Sequence, residues 1–117
     1  MEEKYINLIE EWCEVLEQKA FARYHGPHSK DQKTSYYWFK INKKYTKIIV
    51  TNRGSDSVHA FVDNNTLDIY KSANWNAPVK DKRYHLVDDF NELLQVCDPH
   101  GSYLYKRKAK VYVLQGR

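Results

Sequence analysis

From Thr34 to Lys71 the chain is a succession of β-rich runs separated by turn chemistry, which confines it to folds built on an antiparallel sheet. Thr34 to Ile41 sets Tyr37, Phe39 and Ile41 against Tyr36, Trp38 and Lys40 at period two, the spacing at which successive side chains point to opposite faces of a strand. Tyr45 to Thr51 follows a lysine-containing turn. Its β-branched content makes it the expected hairpin partner of the first run. Asn52-Arg53-Gly54-Ser55-Asp56 and Asp63-Asn64-Asn65-Thr66 are further turns, around a third strand, Ser57 to Val62, and a short fourth, Leu67 to Lys71. The expected product is an antiparallel meander.

A helix precedes this sheet. Tyr5, Ile6, Ile9, Trp12, Cys13, Leu16 and Ala20 recur at three- and four-residue steps with glutamates opposite, the pattern of an amphipathic helix over about residues 3–22. It should end before His25-Gly26-Pro27-His28, where glycine can take the left-handed cap and proline cannot continue the helix. Asp88 or Asp89 is expected to cap a short helix running to about Cys97, with Glu92 completing an Asp-x-x-Glu box if Asp89 is the cap. Asp98-Pro99-His100-Gly101 ends it, and a final strand within Ser102 to Leu114, broken near Lys108, is expected to return to the sheet. The expected fold is α+β over a single domain, residues 1–117. An antiparallel four- to five-stranded meander carries the N-terminal helix on one face through Ile9, Trp12 and Leu16, and the second helix comes before the last strand.

At 117 residues the chain is long enough for one modest core without disulfides. Cys13 and Cys97 both fall in helical patterns, so they read as buried reduced thiols. No cationic leader precedes an apolar run and no window reaches a membrane span, so the expectation is a soluble, cytoplasmic protein without a membrane partner. In that setting Asn64-Asn65-Thr66 is a turn and not a glycosylation acceptor. The net charge of +4 is unevenly spread. Residues 1–20 hold six glutamates against two lysines, a net −4, which leaves +8 on residues 21–117. Such polarity suits a basic face turned to an anionic partner, although two merely solvated faces would look the same.

Residues 58–80 carry two strands directly into an aromatic, basic, proline-bounded loop, Asn74 to Tyr84, expected to cross the end of the sheet. Within it, Phe61-Val62-Asp63, Thr66, Asp68, Ile69, Tyr70-Lys71, Ala73, Trp75, Pro78, Lys80 and Arg83 resemble a pattern found in small uncharacterised accessory proteins of tailed bacteriophages and large DNA viruses. The resemblance covers residues 57–87, about a quarter of the chain, and implies a viral accessory protein acting in the host cytoplasm. It assigns no catalytic residue. In that group a glycine commonly holds the turn position of Leu67, so the turn here is expected to differ in shape.

Basic residues interleaved with aromatics are what nucleic-acid binding needs, because phosphate contacts supply affinity and ring faces accept any base. Lys71, Trp75, Lys80, Lys82, Arg83 and Tyr84, with Tyr103, Tyr105, Lys106, Arg107 and Lys108, are the candidate site for a nucleic acid or nucleotide. Lys40, Lys43, Lys44 and Lys47 would likewise neutralise phosphates. The same residues would also serve to cover a sheet and blunt its edges. Trp75 with Pro78 and Arg83, or the acidic helix, would equally engage a host or viral protein. The expected state is monomer or homodimer.

Other chemistry is less well marked. Ala60-Phe61-Val62 echoes part of an RNA-recognition motif, but the helix-then-strands order excludes that fold. His25-x-x-His28 and Cys97-x-x-His100 have spacings that could grip zinc, yet lack doubled cysteine pairs. His59, His85 and Asp63, Asp68, Asp81, Asp88 and Asp89 offer acid–base groups, while no phosphate loop, nucleophile elbow or paired-carboxylate motif is present. The expectation is a non-enzymatic binding protein with no cofactor.

Overall fold

A computed structural model describes residues 1–26 and 33–105. Helix α1 runs Glu3–His25, one turn beyond the expected end. Gly26 closes it at φ 85° with its N–H on the Ala22 carbonyl at 2.9 Å, a conformation that glycine takes without steric cost. Five strands follow, β1 Ser35–Ile41, β2 Tyr45–Asn52, β3 Ser55–Asp63, β4 Asp68–Asn74 and β5 Ala77–His85. They form one antiparallel sheet in sequence order. Helix α2, Phe90–Val96, comes after the last strand.

Two strand expectations change, and with them the second helix follows the last described strand instead of preceding it. Asn74 to Tyr84 is not a crossing loop: Asn74 ends β4, Trp75-Asn76 is a tight turn, and β5 pairs back along β4. Pro78 is tolerated because β5 is an edge strand, where a missing N–H need not break a ladder. Ser102–Leu104 forms a single 3₁₀ turn where a final strand was expected to start, and residues 106–117 of that run lie outside the described residues.

Local chemistry sets the turns. Arg53 and Gly54 lie at φ 53° and 86° between Asn52 and Ser55, paired across β2 and β3, the doubly left-handed turn whose twist matches a two-residue hairpin. The Asp63 carboxylate accepts from the N–H groups of Asn65 and Thr66 at 2.8 and 3.0 Å. Leu67 then takes φ 67°. A leucine there strains the backbone by about 1 kcal/mol or more, and it is held because its side chain is buried in the core.

α1 covers one face of the sheet. Ile9, Trp12, Cys13, Leu16 and Ala20 pack against Tyr37, Ile48, Ala60, Val62 and Ile69, with Leu86, Leu93, Cys97 and Leu104 closing the core from the C-terminal side. The two cysteines are free and buried. Desolvation, the largest cause, and the neighbouring Glu17 and Glu10 push the Cys13 thiol up to about 12, which keeps it protonated and unreactive. No helix among the described residues is long and apolar enough to cross a membrane.

Lys19 locks the two helices together. Its ammonium donates to the carbonyls of Leu94, Gln95 and Cys97 at 2.9, 3.0 and 2.7 Å, the free acceptors at the C-terminal end of α2. The expected Asp-x-x-Glu box is not what holds the other end, since Asp89 turns back to accept from the His85 N–H at 2.8 Å and makes no cap bond into its own helix. Lys19→Met keeps the aliphatic stem and leaves three carbonyls without their donor. The expected outcome is a loss of about 2 kcal/mol of unfolding free energy, read as a lower denaturant midpoint at unchanged slope.

Candidate functional site

The register divides the sheet into a helix-side face and an outer face. Tyr37 and Phe39 lie opposite Val50 and Ile48 toward α1, whereas Tyr36, Trp38 and Lys40 lie opposite Thr51, Ile49 and Lys47 on the outer face. Phe61 pairs with Lys47 on one side and Tyr70 on the other, and Tyr70 pairs with Lys82. The outer face therefore carries Tyr36, Trp38, Tyr45, Phe61 and Tyr70 with Lys40, Lys47 and Lys82, and also Asp56, Asp63 and Asp68, of which Asp56 accepts from Thr51, Asp63 from the turn N–H groups and Asp68 lies beside Lys82. Ile49 and Phe61 are buried there, each 1% exposed, outside the helix-side core.

Trp75 reaches this face through a bend in the sheet. Pairing of β3 with β4 ends at Ala60–Lys71, and irregular pairing follows at Tyr70, Ser72 and Asn74. Such bulges sharpen strand twist. Freed from β3, the β4–β5 ribbon brings the Trp75 ring to 4.5 Å from the Lys47 ammonium. Tyr45 packs edge-on to Phe61 and Tyr70, with ring centroids 5.7 and 6.2 Å away. The Trp38 indole N–H donates to the Thr51 hydroxyl at 2.9 Å, and that hydroxyl donates to Asp56. The indole is thus fixed in orientation while its ring stays 41% exposed, beside Tyr36 at 49% and with Trp75 at 44%.

Lys40 and Lys47 stand directly opposite one another. Like charges at that spacing destabilise a sheet, and no carboxylate among the described residues forms an ion pair with either. Lys82, itself exposed, has a long 3.6 Å contact with the largely covered Asp68 carboxylate, which contributes little.

The other candidates gather elsewhere. The Lys71 ammonium sits 4.6 Å from the Tyr105 ring, Arg83 donates to the Leu104 and Asp81 carbonyls, and the Tyr84 hydroxyl donates to the Tyr103 carbonyl at 3.3 Å. Tyr84, Tyr103 and Tyr105 line an open groove of about 200 Å³ together with Asp98. The Asp98 carboxylate is unsuited to phosphate. Against the upward push of partial burial, hydrogen bonds from Ser102, His100 and Gly101 hold it below its usual range. Arg83 thus ties down the C-terminal segment, and Lys80 is exposed on β5. Lys106, Arg107 and Lys108 lie outside the described residues.

The acid–base candidates have structural roles. His85 Nδ1 accepts from the N–H groups of Val87 and Asp88, and Nε2 faces the Thr66 carbonyl at 2.9 Å, so a ring protonated at Nε2 satisfies all three. His59 lies at the bulge where β2 and β3 slip register near Ile48. Its ring packs among Trp12, Tyr37 and Tyr103, and Nε2 lies 2.6 Å from the Tyr103 hydroxyl. Of the zinc candidates, His25 packs at a tilt against Phe21, His100 packs edge-on to Tyr24, the buried Cys97 thiol donates to the Leu94 carbonyl, and His28 lies outside the described residues. Among the described residues no group of three or more His, Cys, Asp or Glu is placed to hold a metal ion.

Tyr36, Trp38, Lys40 and Lys47 complete the outer face around Trp75; the sequence offers both lysines as phosphate contacts but does not single out Tyr36 and Trp38 as the rings beside them. The signal was the alternation in Thr34 to Ile41, which puts two aromatics and a lysine on the face away from Tyr37 and Phe39.

Desolvation, the largest cause, lowers His59 from 6.5 to about 4, against a smaller upward pull from Asp98. Below pH 6.5 the unfolded chain takes a proton on this residue that the folded chain does not take until about pH 4. Stability is therefore expected to fall as pH drops through that window, by up to about 3 kcal/mol from this residue. His59→Gln should flatten that part of the stability-against-pH curve, measured by denaturant unfolding at several pH values.

The model of one protein family, described as a family of unknown function (DUF7717), matches residues 1–106. No curated protein and no solved structure matches the chain.

Proposed function

The chain belongs to this family of unknown function, and we propose that it is a non-enzymatic binding protein that holds single-stranded nucleic acid across the outer face of its sheet. The observation that carries this reading is the directly opposed Lys40 and Lys47, neither in an ion pair among the described residues, set among the half-exposed rings of Tyr36, Trp38 and Trp75, with the Lys47 ammonium over the Trp75 ring. Two lysines set opposite one another across the ladder, at a cost to the sheet, offer charge for phosphate. Ring faces open to solvent accept unstacked bases of any identity. Duplex bases are stacked inside the helix and offer no ring face, so the ligand is single-stranded. The sequence resemblance gives the setting we propose, a viral accessory protein in the host cytoplasm.

Half-exposed tryptophans are also the residues that anchor protein interfaces, so a host or viral protein on this same face is the competing reading. Salt separates the two, because phosphate contacts release counterions whereas an aromatic-centred interface does so much less.

Titration with labelled single-stranded DNA and RNA, and with duplexes as controls, at low and near-physiological salt tests the reading. Wild type should prefer single strands. The Lys40→Ala, Lys47→Ala double variant should flatten the log–log salt dependence by about 1.4, or ~0.7 for each phosphate contact on a single strand. Trp38→Ala and Trp75→Ala should each weaken binding by about 1–3 kcal/mol. Binding that is equal for duplex and single strand, or unchanged in all these variants, would move the ligand off this face.

A further inference from the structure

We propose that the groove between α1 and the open edge of β1 takes an extended, lysine- or arginine-bearing segment of a partner protein as an added strand. This site is separate from the outer face and does not depend on what that face binds.

The backbone of β1 makes the edge. The Asn42 N–H donates to the Tyr45 carbonyl across the hairpin, and hydrogen-bonded pairs alternate from there along an antiparallel ladder to Lys40–Lys47, Trp38–Ile49 and Tyr36–Thr51. Tyr37, Phe39 and Ile41 therefore turn their N–H and C=O groups away from β2. Glu17 takes the Tyr37 N–H at 2.9 Å, which shows where that edge donor points, and the same carboxylate pairs with Lys33 at 2.9 Å. Among the described residues nothing bonds the outward N–H or C=O of Phe39.

Beside Phe39 an open groove of about 350 Å³ is lined by Glu10, Glu14, Glu17, Trp38 and Phe39. Glu10 and Glu14 lie on the exposed side of α1, within the segment of net charge −4. A strand laid against Phe39 would alternate its side chains. One set would face the glutamates and the other would extend the face of Trp38. The first set is therefore cationic and the second apolar or aromatic; in strand addition the backbone pairing supplies affinity and such alternating side chains supply selectivity.

Charge also decides the occupant. Pairing β1 with β1 of a second copy would bring two acidic helices together, so the glutamates act against self-association while favouring a basic strand.

The probe is a short end-blocked peptide alternating lysine and valine, titrated into the full chain by calorimetry, with amide exchange of β1 followed by NMR. The expected result is binding that slows exchange at Phe39, falls roughly tenfold in a Glu10→Lys, Glu14→Lys variant, and is lost when alternate peptide nitrogens are methylated at unchanged charge. Both glutamates are exposed, so the variant keeps its fold, and an unaltered unfolding midpoint checks this. Equal binding by the methylated peptide would reduce the site to a charge contact and overturn the proposal. So would absence of binding at low salt. Protection of Phe39 that rises with concentration of the free protein would assign the edge to a second copy and also overturn it.

Discussion

A single helix can cover only one face of a five-stranded sheet, and most of this structure follows from that constraint. α1, Glu3–His25, is about 35 Å long at 1.5 Å per residue. It buries Ile9, Trp12 and Leu16 completely against the inner side chains of the meander. Lys19 then fastens α2 beside it through three carbonyls, and the 3₁₀ turn brings Leu104 and Tyr103 in over the core. Every helical element in the described residues is committed to this side.

The outer face must therefore stabilise itself. Tyr45, Phe61 and Tyr70 do so by edge-on packing, and the bent β4–β5 ribbon brings Trp75 over Lys47. Interactions of this kind stabilise without enclosing, so the rings remain half open to solvent. Among the described residues no helix covers this face, which spans about 20 Å across five strands at their usual spacing, and on our proposal its aromatics and lysines take an extended anionic chain. Lys47 has the Trp75 ring as a partner, whereas its placement directly opposite Lys40 is not explained by sheet stability.

Much of the fold could be read from the chain. Period-two alternation in Thr34 to Ile41 and the turn residues at Asn52–Ser55 and Asp63–Thr66 placed the first four strands closely, and the three- and four-residue recurrence from Tyr5 to Ala20 placed α1 and its buried face. β5 was not legible because Lys80 to Arg83 is a run of four charged residues shortly after a proline, with no alternation. Its strand character comes from pairing along β4, a tertiary effect. The split of the candidate site into two groups has the same origin. Lys71 and Trp75 are four residues apart, yet bulged pairing between them sends one toward Tyr105 and the other across the outer face. Arg83, which sequence ranks with the lysines, is instead occupied with carbonyls of the C-terminal segment.

The most direct test of the outer face is to irradiate the protein with single-stranded oligonucleotides and map the crosslinked residues by mass spectrometry, since a zero-length photocrosslink forms where a base stacks on a ring. Crosslinks at Trp38, Trp75, Tyr36 or Tyr70 are the predicted result. Crosslinks confined to Tyr84, Tyr103 and Tyr105, or none under conditions of saturated binding, would contradict the assignment of this face.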